Sequence, residues 1–292
     1  MGYSARYHVA SLAAVFLALA VGILIGAAFG SDVLDDVGRD LEEGLKEDLE
    51  EANAEIAALE AELDQQQLFA ETVYPALAAD TLPGRSLALV SFGGRPEAVR
   101  EDVQTALGPT GAEVTQLAVV REPPDVGALA ELLEGPPPAK AERERQQAAK
   151  AVRRAGEGLV DATPFYGRAR EGLLATFSGE AVPVDGVIVA RERPEMEGPE
   201  EAASDDLETA FVEGLLDAGV PVVGVERTGE EDSSIGFFDS LGLTTVDNVD
   251  QVAGRVALVY ALRGAQGNFG VGEEADELVP GLLRRPGATT AP

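Results

Sequence analysis

The chain has 292 residues, with 52 acidic and 22 basic side chains and a formal charge of −30 at pH 7. So acidic a protein repels nucleic acid and anionic lipid surfaces and suits cations or basic protein surfaces instead. It contains no cysteine, which removes disulfide frameworks, thiolate nucleophiles and thiolate metal sites, and its 45% apolar content suffices for the core of one α/β domain.

The segment Val9 to Phe29 (VASLAAVFLALAVGILIGAAF) carries no charge over about 21 residues, the length at which a helix spans a bilayer core. It predicts a transmembrane helix over 9–30. Arg6 precedes the segment and Asp32, Asp35, Asp36 and Asp40 follow it, so the positive-inside bias predicts a cytoplasmic head at 1–8 and an extracytoplasmic bulk. Tyr3 and Tyr7 sit where interfacial aromatics anchor a span. A cleaved signal peptide is the alternative, with Ala27, Ala28 and Gly30 near the cleavage point, but the apolar run exceeds the ~7–15 residues of a signal h-region. Gly22, Gly26 and Gly30 recur every fourth residue, which predicts a face that a second membrane helix can approach closely.

Residues 31–78 read as a coiled-coil stalk. From Leu41 the apolar residues keep helical spacing and no proline intervenes before Pro75. Leu49, Ile56, Leu63, Ala70 and Leu77 take a positions and Ala52, Leu59, Gln66 and Val73 take d positions of one heptad seam. Leu41, Leu45 and Leu49 step by four, a departure that relaxes the supercoil near the membrane. Asp48, Glu55 and Glu62 at g and Glu60 at e set acid against acid in a homomeric coil. Three occupants of the seam stay open: a second copy, another coiled-coil protein, or the chain's own globular part.

Residues 82–270 alternate strand and helix. Ser86 to Phe92 reads as a buried strand, followed by Gly93-Gly94 and a helix opening at Pro96. Strands follow at Glu113 to Val120, Val184 to Ala190, Val220 to Val225 and Leu243 to Val246, with helices from Asp125, over Ser204 to Ala218 and over Val249 to Arg263. This order predicts an α/β fold, a Rossmann-like three-layer domain with a mostly parallel sheet. Lys140 to Arg154 holds six basic and two acidic residues, with Lys140, Arg143, Lys150 and Arg154 near one helical face, and is the best docking face in so acidic a chain; a solvated face is the plainer reading. Glu192 to Glu208, rich in Glu, Asp, Pro and Gly, predicts a mobile acidic loop. The composition of 271–292 predicts a disordered tail.

The N-terminal string YHVASLAAVFLALAVGILIG resembles the opening of the mycobacterial copper transport protein B (MctB) family. Thr245-Val246-Asp247-Asn248-Val249-Asp250 followed by Gly254-Arg255-Val256-Ala257-Leu258-Val259 is similar to that family's C-terminal block, and Gly267-Asn268-Phe269-Gly270 to its closing Gly-x-aromatic-Gly. The resemblance spans roughly residues 3 to 270. It implies an actinobacterial cell-envelope protein with a role in copper transport or homeostasis. The residues themselves supply no copper site: copper(I) takes Cys, Met and His, and here only Met1, Met196 and His8 exist.

Without cysteine, and without histidine after His8, Ser–His–Asp, Cys–His and histidine-rich zinc chemistry are excluded. Ser91-Phe92-Gly93-Gly94 stands at a strand end where α/β folds bind ligands, but no phosphate-binding glycine pattern follows, so a tight turn is expected. Asp247, Asn248 and Asp250 form the densest polar cluster. Helix capping by Asn248 or Asp250 explains them more economically than a hard cation such as calcium. The sequence thus predicts no enzyme, no cofactor and no nucleic-acid partner. It predicts a single-pass cell-membrane protein whose copper role is indirect, or alternatively a coiled-coil scaffold or regulator of a wall-synthesis or division partner.

Overall fold

The computed structural model describes residues 4–94, 96–133, 141–192, 196, 198–230 and 232–281, the side chains of 4–7, 28–43, 141 and 199 excepted. The chain divides into two units, Met1–Leu68 and Phe69–Pro292. The first is helical throughout its described length and belongs to α1, a single helix from Ser4 to Ala78 that enters the second unit. Within it, His8–Ala27 is long and apolar enough to cross a membrane, with a mean hydropathy of 2.6. Gly22 and Gly26 have open space where a Cβ would stand. Tyr3 lies outside the described residues, and the surroundings of Arg6, Tyr7, Gly30 and the acids Asp32 to Asp40 fall in the excepted stretches. Leu45, Leu49, Ile56, Leu59 and Leu63 are each more than half exposed.

The second unit is built on seven strands: β1 (Ser86–Gly93), β2 (Glu113–Val120), β3 (Leu174–Gly179), β4 (Gly186–Glu192), β5 (Val222–Val225), β6 (Thr244–Val246) and β7 (Asn268–Phe269). Their order across the sheet is β3-β2-β1-β4-β5-β6-β7, and every neighbouring pair is parallel except β2 with β3. The near-continuous apolar runs of β1 and β4 follow from burial on both faces. Ala88, Val90 and Phe92 point into one core cluster and Leu87 and Leu89 into the other; Val187 and Val189 oppose Ile188 and Ala190 in the same way. The first cluster is closed by α3 (Val126–Glu131), α4 (Ala141–Val160), α5 (Pro164–Leu173), α6 (Pro199–Asp217) and α7 (Ile235–Ser240). The second is closed by α2 (Glu97–Leu107) and α8 (Val252–Ala261).

Helices α4 and α6 cross with their backbones in contact. A Cβ on Gly214 would overlap the Arg153 carbonyl, and one on Gly156 would overlap that of Phe211. Arg153 then bridges Glu213 and Asp217 at 2.8 and 2.7 Å. The last turns of α1 dock on α8 and α2. Tyr74 and Ala78 are buried with Val256, the Tyr74 hydroxyl donates to the Ala106 carbonyl, and Arg255 reaches Glu71 at 3.0 Å. Thr81 Oγ1 closes the helix by donating to the Ala78 carbonyl at 2.7 Å.

Several expectations change here. Most of the segment expected as a mobile acidic loop belongs to regular structure: β4 runs through Glu192 and α6 starts at Pro199, although 193–195 and 197 lie outside the described residues. Proline in the first turn followed by Glu200 and Glu201 is a helix-start signal, and apolar burial of Leu207 and Phe211 outweighs the acidic composition. α5, capped by the Thr163 hydroxyl, and the antiparallel edge strand β3 had no counterpart in the sequence reading. Of the basic segment, Lys140 lies outside the described residues and Arg154 stacks on the Phe165 ring at 4.4 Å. Residues 271–281, expected as tail, are tied down: Glu277 pairs with Phe269, and Asp276 N donates to Asn268 O at 2.8 Å. The remaining tail, 282–292, lies outside the described residues.

Candidate functional site

Parallel strands end on one side of the sheet, and that carboxyl end is where α/β folds gather ligands. In this chain it gathers carboxylates. Glu192 closes β4, Glu226 follows β5 directly and Asp247 follows β6. Between the last two opens a cleft of about 490 Å³, lined by Glu226, Glu230, Ser233, Asp247, Gly272 and Glu274 among others. Burial pushes the Glu226 carboxyl above the usual glutamate range, opposed by hydrogen bonds from Ser234 N and the Ser233 hydroxyl. Burial and then the neighbouring Glu230 raise Glu192 as well.

The reversal of strand order, between β1 and β4, is closed. Gly94 N donates to Glu192 O at 2.7 Å, and a Cβ on Gly94 would stand 2.7 Å from a Glu192 carboxylate oxygen. The Ser91 hydroxyl is buried and donates to the Gly94 carbonyl at 3.1 Å, so Ser91 to Gly94 forms the tight turn expected of it.

The Asp247, Asn248, Asp250 and Gly254 block works differently from the expected cap. The residue preceding α8 is Gln251, which makes no side-chain capping bond. Asp247 instead accepts Val271 N at 2.8 Å and Gly272 N at 2.7 Å, clamping the segment after β7. Asp250 accepts the Thr228 N and hydroxyl at 2.8 and 3.0 Å, clamping the loop after β5. Its carbonyl also receives Arg255 Nη2 at 2.8 Å. Asn248 is fully buried, its side-chain amide has no hydrogen-bond partner, and its carbonyl takes Gln251 N at 2.9 Å. Gly254 is needed because a Cβ there would overlap that carbonyl. The two carboxylates are therefore spent on backbone donors in opposite directions. Among the described residues, no group of three or more His, Asp or Glu side chains is placed to hold a metal ion.

A second polar centre was not anticipated. Arg191, at the end of β4, pairs with Glu208 at 2.8 Å and Asp205 at 3.1 Å, and lies over the Phe237 ring at 4.2 Å. Beside it the Ser204 hydroxyl meets the Met196 sulfur at 3.7 Å. The signal available in the sequence was position: an acid or arginine directly after an apolar run, as in Arg191-Glu192 and Glu226-Arg227, falls at the strand ends where a site is built. The seam residues Leu49, Ile56, Leu59 and Leu63 and the helix glycines belong to the first unit.

These features define a class: a mixed α/β domain with a seven-stranded, mostly parallel sheet and one N-terminal helix apolar enough for a membrane. The chain belongs to the family described as copper transport outer membrane protein, MctB, whose model matches residues 3–280. No curated protein matches the chain.

Proposed function

We propose that this chain is a non-enzymatic, single-pass membrane-anchored protein of the cell envelope that serves copper transport or homeostasis indirectly, through a partner. The observation that carries this reading is the family match over nearly the whole chain, set against a donor inventory unsuited to copper. Copper(I) requires two or more soft donors, and beyond the apolar helix the only one is Met196, whose sulfur already receives the Ser204 hydroxyl. The one helix among the described residues that is apolar enough for a membrane offers no pore by itself, so in this reading passage of copper as cargo requires further subunits. The reading includes a cytoplasmic N-terminus, a coiled-coil stalk and a Rossmann-like extracytoplasmic domain. A reporter fused after Pro292 tests the topology, and activity of a cytoplasm-only reporter there overturns it.

A deletion strain tests the role: copper sensitivity with normal cell shape supports it. Misshapen cells with normal copper tolerance support the second reading, a coiled-coil scaffold for a wall-synthesis or division partner. The exposed Leu and Ile stripe of α1 favours that alternative, since such a stripe requires an occupant.

A further inference from the structure

The apolar stripe of α1 from Leu45 to Gln66 is left uncovered, and its chemistry selects an occupant. Leu45, Leu49, Ile56, Leu59 and Leu63 follow one heptad register and are each more than half exposed. The free stripe ends where α1 begins to pack on its own domain: Ala70 and Val73 are partly covered, and Tyr74 and Ala78 are buried. About three heptads are therefore available, roughly 33 Å of helix.

We infer that this stripe pairs with the same stripe of a second copy, parallel and in register, as a two-stranded coil. The inference rests on the coiled-coil, membrane-anchored reading above and names its partner. Three observations select it. The central layers put Ile56 at a and Leu59 at d, the combination that favours two strands over three or four. The edge charges discriminate orientation. In a parallel pair, each g residue meets the e residue five positions on in the other copy, so the acid-against-acid contacts expected of a homomeric coil reduce to one: Asp48 meets Asn53, Glu62 meets Gln67, and only Glu55 meets a like charge, Glu60. In an antiparallel pair g faces g, and the three acids Asp48, Glu55 and Glu62 face one another. Finally, the same helix carries the apolar segment His8–Ala27, so two anchored copies enter the coil from the same end, and the open Gly22 and Gly26 faces continue the contact.

The chain lacks cysteine, so a single introduced thiol reports geometry without a background. The full chain in detergent micelles is expected to sediment as a dimer. Leu59→Cys at d is expected to oxidise to a disulfide-linked dimer at least ten-fold faster than Ala61→Cys on the far side of the helix. Ile56→Asp with Leu63→Asp is expected to give monomer with the far-ultraviolet spectrum unchanged, since both sites are exposed. A wild-type dimer in which Leu59→Cys fails to crosslink preferentially overturns the parallel pairing and leaves the coiled-coil reading standing. A wild-type monomer overturns the self-pairing outright, and the copper phenotype then decides the functional reading by itself.

Discussion

At the scale of single residues, Asp247 and Glu226 line the same cleft but have different hydrogen-bond partners. Asp247 is nearly buried yet receives two backbone N–H groups, and hydrogen bonds to an ionised acceptor contribute about 1.5–3 kcal/mol each. Asp247→Ala is therefore expected to lower the unfolding free energy by about 2–4 kcal/mol and to expose the segment after Phe269 to proteolysis. Asp247→Asn, which keeps one acceptor oxygen, should cost about half as much. Glu226 is held protonated more readily than an ordinary glutamate, burial being the largest cause. An acid whose folded pKa exceeds its unfolded one weakens the fold as pH climbs past the unfolded value, because the unfolded chain releases its proton first. Stability should accordingly rise as pH falls from neutrality towards the ordinary glutamate range. Glu226→Gln, which still accepts from Ser233 and Ser234, should flatten that rise and stabilise the protein at neutral pH. Urea midpoints across this window measure the effect, and parallel profiles for the two proteins would refute it.

At the scale of elements, α1 changes character along its length. Its last turns are fixed to α8 and α2 by Tyr74, Ala78 and the Glu71–Arg255 pair, and burial keeps the Tyr74 hydroxyl neutral by pushing its pKa well up. Tyr74→Phe leaves the Ala106 carbonyl without its donor and should cost about 0.5–1.5 kcal/mol in thermal unfolding. In the preceding heptads the expected gain comes from charge. Glu60→Lys places a cation against Glu55 of the second copy and should tighten the dimer by about 1 kcal/mol, roughly five-fold, an effect read by analytical ultracentrifugation and lost at high salt. Antiparallel pairing would not give that result, because position 60 would then face another e position.

At the scale of the whole molecule, the boundary between the units falls inside α1. The second unit begins at Phe69, so the helical turn carrying Glu71, Tyr74 and Ala78 belongs to the α/β domain although the sequence reads it as stalk. A fragment starting at Phe69 is expected to unfold cooperatively, and one starting at Pro83 to be less stable by about 2–4 kcal/mol through loss of the buried Tyr74 and the Arg255 pair. Equal denaturant midpoints would show the docked turn to be dispensable. The same scale governs copper. Titration of the full chain against a copper(I) chelator is expected to show no tight binding, and stoichiometric sub-nanomolar capture would place copper on the protein itself.

Local chemistry was enough to make some features legible. The uncharged run from Val9 and strand β2 at Glu113 to Val120 could be read because periodicity and apolarity are properties of neighbouring residues. The alternation of strands and helices likewise announced a parallel sheet. Composition misled where burial depends on distant partners: Glu208, on α6, looked like loop until Arg191, from strand β4, accounted for it as the partner of a buried ion pair. Asn248 or Asp250 looked like a cap because the sequence shows only the helix that follows the carboxylates of Asp247 and Asp250. The donors they serve, Val271, Gly272 and Thr228, arrive from segments more than twenty residues away, and only the tertiary structure decides which backbone groups reach a buried carboxylate.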